Sequence, residues 1–394
     1  MRKAALLTSF GVWGLAIVLS AQVPDVSPIW TVDPVDRSSV DYTHIPLWAY
    51  GVSETPHFDD EQAVQTHPDA PPSRSAWSSM SRADFARERR LEGSSLTVTW
   101  SDLRDERGGA QAVNWFPDHH PSPMPPIVTQ GPAALGNRSR ACGGCHLADG
   151  SGRPENASPA GLSATYILRQ LADFKNGLRH SVEPAKANSN TMVMLAKAMT
   201  EEEMQEAADY FSAVPWRPHV TVIETDLVPT TEMQGELFIP TAKELTEPIG
   251  NRIIEVPTDV EASQILRSSG GTWIAYVPVG AVARGQDLVT TGGASIVNGE
   301  IVLGRATACT TCHGLDLLGL APDVPPLAGR SPGYLAREIF DIQQGTRAGS
   351  YELLPLMKMA VERLTAEDII DITAYLGSLP VDGVAGPDRT LGTR

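Results

Sequence analysis

The sequence predicts a mainly α protein in which one helical unit occurs twice, with an irregular N-terminal extension before the first copy and a small β-rich insertion between the copies. Three observations carry this. The four cysteines of the 394-residue chain all fall in two copies of one pattern, Cys142-Gly-Gly-Cys145-His146 and Cys309-Thr-Thr-Cys312-His313. Downstream of each, Tyr, Arg, Gly and Arg recur at identical offsets: Tyr166, Arg169, Gly177 and Arg179, then Tyr334, Arg337, Gly345 and Arg347. Each copy then closes on a capping box, Thr200-Glu-Glu-Glu203 and Thr365-Ala-Glu-Asp368. Such a box opens a helix by satisfying its free N–H groups.

Taken in order, Arg2 and Lys3 precede an apolar run from Ala4 to Leu19 and the small residues Ser20 and Ala21. This reads as a secretory signal over 1–21, cleaved near Ala21. No charge occurs between Lys3 and Asp25, so an uncleaved N-terminal anchor is the alternative. Residues 22–130 are rich in Pro, Ser, Asp and Trp, with apolar patches at 45–48 and 96–100. They read as an irregular, partly ordered extension lying against the repeated units. The first unit spans 131–216 and the second 281–380. In each, apolar residues at helical spacing run from the Tyr to the Gly, predicting an amphipathic helix that the glycine ends. Between the units, β-branched runs at 220–223, 252–256 and 273–277 are broken by Pro and Gly, a β-rich insertion over 217–280. A tail covers 381–394.

C-x-x-C-H is the attachment signature of a covalently bound c-type haem. Thiols three residues apart share one face of a helical turn and reach the two vinyl groups of one porphyrin. The next histidine meets the iron. A single C-x-x-C also fits a redox dithiol or half a zinc site. Two copies that end in His and leave no cysteine over point instead to two haem c groups. Cys142, Cys145, Cys309 and Cys312 attach them, and His146 and His313 are the proximal iron ligands.

For the distal side, Met192 lies 18 residues before Tyr210, and Met357 lies 18 before Tyr375. Met194 and Met359 follow two positions on in each copy and stand as alternatives. Methionine also fills irregular gaps in cores, the reading for Met199 and Met204. His119, His120 and Met124 precede the first motif in a Pro-rich loop and read as loop residues, although they could compete for the first iron. Arg179 and Arg347 are candidate contacts to haem propionates, whose carboxylates suit a guanidinium fork. A helix-end arginine also pairs with the helix dipole.

The order C-x-x-C-H, Pro-rich loop with Leu-Ala-Gly, Tyr-led helix, methionine, Leu-Thr-x-Glu-Asp and final Ala-Tyr helix resembles the class I cytochrome c fold. As a tandem pair it resembles the diheme cytochromes of the c-four type. The likeness covers 131–216 and 281–380, and the second unit is the closer: Pro325-Pro-Leu-Ala-Gly329 stands where the first has Ser158-Pro-Ala-Gly161. In that family the ligand methionine sits seven residues before the Leu of the Leu-Ser/Thr helix start; counting from Met199 and Leu364 gives Met192 and Met357. A carbonyl of the Pro-rich loop, Pro325 in the second unit, is expected to orient the proximal imidazole. The first unit shows no clear counterpart.

A thioether opposite a histidine leaves the iron no open position, which suits a carrier and not an enzyme. The resemblance thus implies a periplasmic protein passing electrons one at a time between a respiratory or dehydrogenase donor and a downstream acceptor. One alternative is a cytochrome subunit of a larger oxidoreductase complex, with extension and insertion as docking surface. Another is a diheme peroxidase-like enzyme with one displaceable distal ligand, which matched methionines disfavour. Enzymes that use a distal cysteine are excluded, because haem attachment consumes all four cysteines. A net charge of -16 repels nucleic acid and anionic lipid and favours partners with a basic docking face, though solubility alone explains such a surface equally well. Membrane contact is expected only if the N-terminal segment stays uncleaved.

Overall fold

A computed structural model describes residues 38–51, 83, 86–104, 111–117, 123–241 and 245–381. The expected signal at 1–21, most of the tail, and His119 and His120 lie outside these residues. Two short helices belong to the extension, α1 (Leu47–Tyr50) and α2 (Trp100–Leu103). The first unit follows with α3 (Pro126–Thr129), α4 (Cys142–His146), α5 (Ala164–Lys175), α6 (Ala187–Ala198) and α7 (Glu201–Ser212). The second contains α8 (Ala281–Thr291), α9 (Thr310–His313), α10 (Pro332–Gln344), α11 (Leu354–Val361) and α12 (Ala366–Ser378).

Local chemistry sets the helix ends. Ser163 and Ser331 each accept the N–H of the Tyr that leads their helix, Tyr166 and Tyr334. Both capping boxes form: Thr200 with Glu203, and Thr365 with Asp368. Gly345 ends α10 at φ 81°, a left-handed conformation that a side chain would strain. In the first core, Ile167 and Leu171 of α5 meet Met204, Ala207 and Phe211 of α7. Leu335, Ile339 and Phe340 of α10 meet Ile369, Ile372 and Leu376 of α12 in the second. Helix α8 crosses α12 at Gly285, where a Cβ would run into the Asp371 carbonyl and Tyr375. Arg284 alongside donates from Nε and Nη2 to the Asp371 carboxylate, both at 2.7 Å.

The strands between the units are β1 (Val220–Glu224), β2 (Leu227–Pro229), β3 (Thr231–Gln234), β4 (Leu237–Pro240), β5 (Thr246–Pro248), β6 (Ile254–Pro257) and β7 (Trp273–Val277). The central sheet runs β1-β7-β6, with β7 parallel to β1 and antiparallel to β6. Alternation along β7 puts Trp273, Ala275 and Val277 on one face, packed with Ile370 and Ala374 of α12. Ile274 and Tyr276 turn the other way, to Val228, Ile249 and Ile254. A hairpin of β8 (Ser295–Val297) and β9 (Glu300–Val302) follows α8. Within the extension, Trp115 is fully buried with Val98, Leu103 and Leu266, and its indole N–H donates to the Leu266 carbonyl at 2.8 Å. Among the described residues no helix is long and apolar enough to cross a membrane.

Candidate haem sites

Each attachment turn opens into its own apolar cavity. The first is lined by Cys142, Cys145, His146 and Met192, with Leu162, Ile167, Phe174, Leu195 and Phe211 in its walls. The second is lined by Cys309, Cys312, His313, Met357 and Met359, with Leu335, Ile339, Leu364 and Leu376. Met192 therefore shares a cavity with its turn, while Met194 is not among the lining residues; in the second unit both candidates are. Met199 belongs to the wall of the first cavity, Met204 to the core, and Met124 packs at the edge of that core.

The imidazoles are already oriented. His313 Nδ1 lies 2.8 Å from the Pro325 carbonyl, as the sequence predicts. His146 Nδ1 lies 2.8 Å from the Ala157 carbonyl. The first unit thus has the acceptor that its sequence does not announce, because a backbone oxygen leaves no mark in the identity of its residue. A carbonyl only accepts, so Nδ1 carries the proton and Nε2 the lone pair, the form of imidazole that binds a metal. Burial holds both histidines below their ordinary pKa and keeps them neutral.

Burial also pushes the Cys142 thiol up to about 12 and the Cys309 thiol up to about 11. A reactive dithiol needs the opposite shift. No group of three His, Cys, Asp or Glu suited to a metal ion occurs among the described residues. Paired thiols, a lone-pair nitrogen and a thioether at one apolar cavity fit a covalently held haem, which supplies a one-electron iron couple when bound.

The two cavities share a wall. Leu162, Tyr166, Gln170, Tyr334 and Glu338 line both. Here the structure places the two predicted arginines, and each lines its own cavity. Arg179 donates from Nη2 to Glu338 at 2.6 Å and from Nη1 to Gln170 at 2.7 Å. Arg347 donates from Nη2 to the Tyr166 hydroxyl at 2.6 Å. Its Nε sits 2.8 Å from the other oxygen of Glu338, a charge pair whose angle falls short of a hydrogen bond. Burial works against charge on Glu338, but Arg179 and Arg347 outweigh it and hold the carboxyl below its ordinary pKa. Each arginine thus reaches across the unit boundary, Arg179 to Glu338 and Arg347 to Tyr166, besides holding a partner in the helix of its own unit. Glu338 is the residue that sequence reasoning missed. Its signal was present, since it occupies the place of Gln170 in the repeat.

Fold and sites together define a c-type cytochrome with two haem-binding units. The family described as Cytochrome c matches residues 133–214 and 283–380. Cytochrome c-554(548) of Halomonas halodenitrificans is 43% identical over 70 residues, covering 18% of this chain and 82% of that protein. Cytochrome c4 of Pseudomonas aeruginosa is 25% identical over 252 residues, 63% of this chain and 89% of that one. A thiosulfate dehydrogenase electron acceptor of Stutzerimonas stutzeri is 27% identical over 226 residues, 56% of this chain and 70% of that one. The chain belongs to the cytochrome c family, as a diheme class I member similar to cytochrome c4. It carries two covalently bound haem c groups and is an electron-transfer protein.

Proposed function

We propose that this cytochrome carries electrons one at a time, outside the bacterial cytoplasmic membrane, between a dehydrogenase-class donor and a downstream acceptor. Each iron is held between a histidine and a methionine: His146 with Met192, and His313 with Met357. The observation that carries this reading is the position of Met192 and Met357, matched in the repeat and each lining the cavity of its own attachment turn. A thioether opposite an imidazole raises the potential and closes the iron to other ligands. Arg179 and Arg347 line the same cavities, and a guanidinium has five N–H donors, more than the contacts above use. They remain available to propionates. The donor class is supported by the similarity to a protein named for accepting electrons from thiosulfate dehydrogenase, and export by the expected signal over 1–21.

The test is the near-infrared sulfur-to-iron band of the oxidised protein. Met192→Ala and Met357→Ala are each expected to remove half of its intensity, and Met194→Ala and Met359→Ala to leave it intact. Full intensity in either of the first two variants refutes the assignment of that methionine.

A further inference from the structure

The two attachment turns are one pattern in unequal surroundings. In the first, Gly143, Gly144, Leu147 and Ala148 are buried. A side chain at 143 would run into Ala112 of the extension and Val128 of α3, and Arg267 of the insertion donates from Nε to the Gly144 carbonyl at 2.8 Å. The Trp115 to Leu266 hydrogen bond joins extension and insertion into a single cover. Over the second turn the repeat has Thr310 and Thr311 where the first has its two glycines. Thr311 and Asp316 are exposed, and Leu315 is 93% exposed. Glycine stands where the cover presses, threonine where the turn is open.

Large exposed aliphatic side chains flank the open turn along the chain. Leu303 is 86% exposed, and Ile296 and Ile301, directly opposite each other in the β8–β9 hairpin, are each 75% exposed. The hairpin rises from a base beside the second cavity, where the Ala306 N–H donates to the Gly292 carbonyl and Ala306 lines the wall. None of Ile296, Ile301, Leu303 or Leu315 lines that cavity. Seating a cofactor there would not bury them. Scattered exposed leucines are ordinary, but a group this exposed beside a redox site marks a contact surface. Glu300 and Asp316, next in sequence to Ile301 and Leu315, are exposed, and Arg305 is paired with Asp368.

We propose that partner redox proteins dock on the face of the second attachment turn, through Leu303, Leu315 and the β8–β9 hairpin. The cover made by extension and insertion closes the equivalent face of the first turn. The partner presents an apolar patch ringed by basic residues, complementary to the acidic rim and to the net charge of -16. The first unit then exchanges electrons with partners only by way of the second. This rests on the electron-transfer reading above.

The reduced holoprotein is mixed with tris(phenanthroline)cobalt(III), a cation with apolar faces. It takes one electron from each ferrous iron to give cobalt(II) and ferric iron. Leu315→Lys, at a side chain too exposed to matter for folding, is expected to slow both kinetic phases about fivefold. Gln205→Lys makes the same charge change on an exposed position of the first unit and is expected to slow neither. Slowing confined to the phase that carries half of the absorbance change, or equal slowing by Gln205→Lys, overturns the single docking face. A readout independent of electron flow uses redox-inert, paramagnetic tris(phenanthroline)chromium(III). It broadens amide resonances of 311–316 and spares those of 143–148; equal broadening of both also overturns the proposal. A wild-type protein that passes no electron to cobalt overturns the electron-transfer reading instead.

Discussion

Replacing Glu255 by glutamine should make the folding stability of this protein less dependent on pH. Glu255 lies on β6 and is 5% exposed. Its Oε2 accepts from the Ser331 hydroxyl at 2.9 Å and from the Gly333 N–H at 3.1 Å. Oε1 has no hydrogen-bond partner among the described residues. Burial pushes the carboxyl up from 4.5 to about 7, against the pull of Ser331, Gly333 and Arg337. The folded chain therefore keeps a proton that the unfolded chain gives up. A raised carboxyl pKa stabilises the fold fully below about 4.5, and that contribution is lost as pH rises through about 7. At roughly 1.4 kcal/mol per pKa unit, the difference is about 3 kcal/mol. Glutamine keeps the shape of the protonated acid and does not titrate. In urea unfolding of the holoprotein at steps from pH 4.5 to 8, the stability of Glu255→Gln minus that of wild type should rise by about 3 kcal/mol. Other titrating groups cancel in that difference. A difference constant to within about 0.5 kcal/mol would refute the reasoning.

Two further substitutions test how the units are held. Glu338→Gln removes the anion between Arg179 and Arg347 and should cost about 3–5 kcal/mol, the penalty for stranding buried charge, seen as a lowered Tm and denaturant midpoint; a loss below about 1 kcal/mol would mean the ion pairs contribute little. Gly285→Ala forces a methyl against the Asp371 carbonyl at the α8–α12 crossing. It should destabilise by about 1–3 kcal/mol while leaving the spectrum of the first unit unchanged, and a wild-type midpoint would show that the two helices separate freely.

What was legible in the sequence is what local chemistry writes. The Thr200 and Thr365 boxes, the Tyr-led helices and the attachment turns each depend on side chains a few residues apart, and all of them form. Counting along the repeat matches Met192 to Met357 and Met194 to Met359 alike; the family offset from Met199 favours Met192, the one that lines the first cavity. Counting does not separate Met357 from Met359, because both reach the second cavity. Long-range pairing was not legible. The three β-branched runs mark strands, but nothing in them states that the last lies between the other two. Arg179 and Arg347 look like equivalent helix-end residues until the units meet and Glu338 falls between them. Helix α8 also went unread as an element, since its packing depends on a glycine whose use becomes clear only when α12 crosses it.

The shared wall has a consequence for biogenesis. Tyr334, Arg337, Glu338 and Asp341 line the first cavity, yet they follow its attachment cysteines by nearly half the chain. A chain in which only the first unit has folded lacks these four side chains at its cavity, which then stands open on the side that its twin closes. Completion of the first pocket waits for the folding of the second unit.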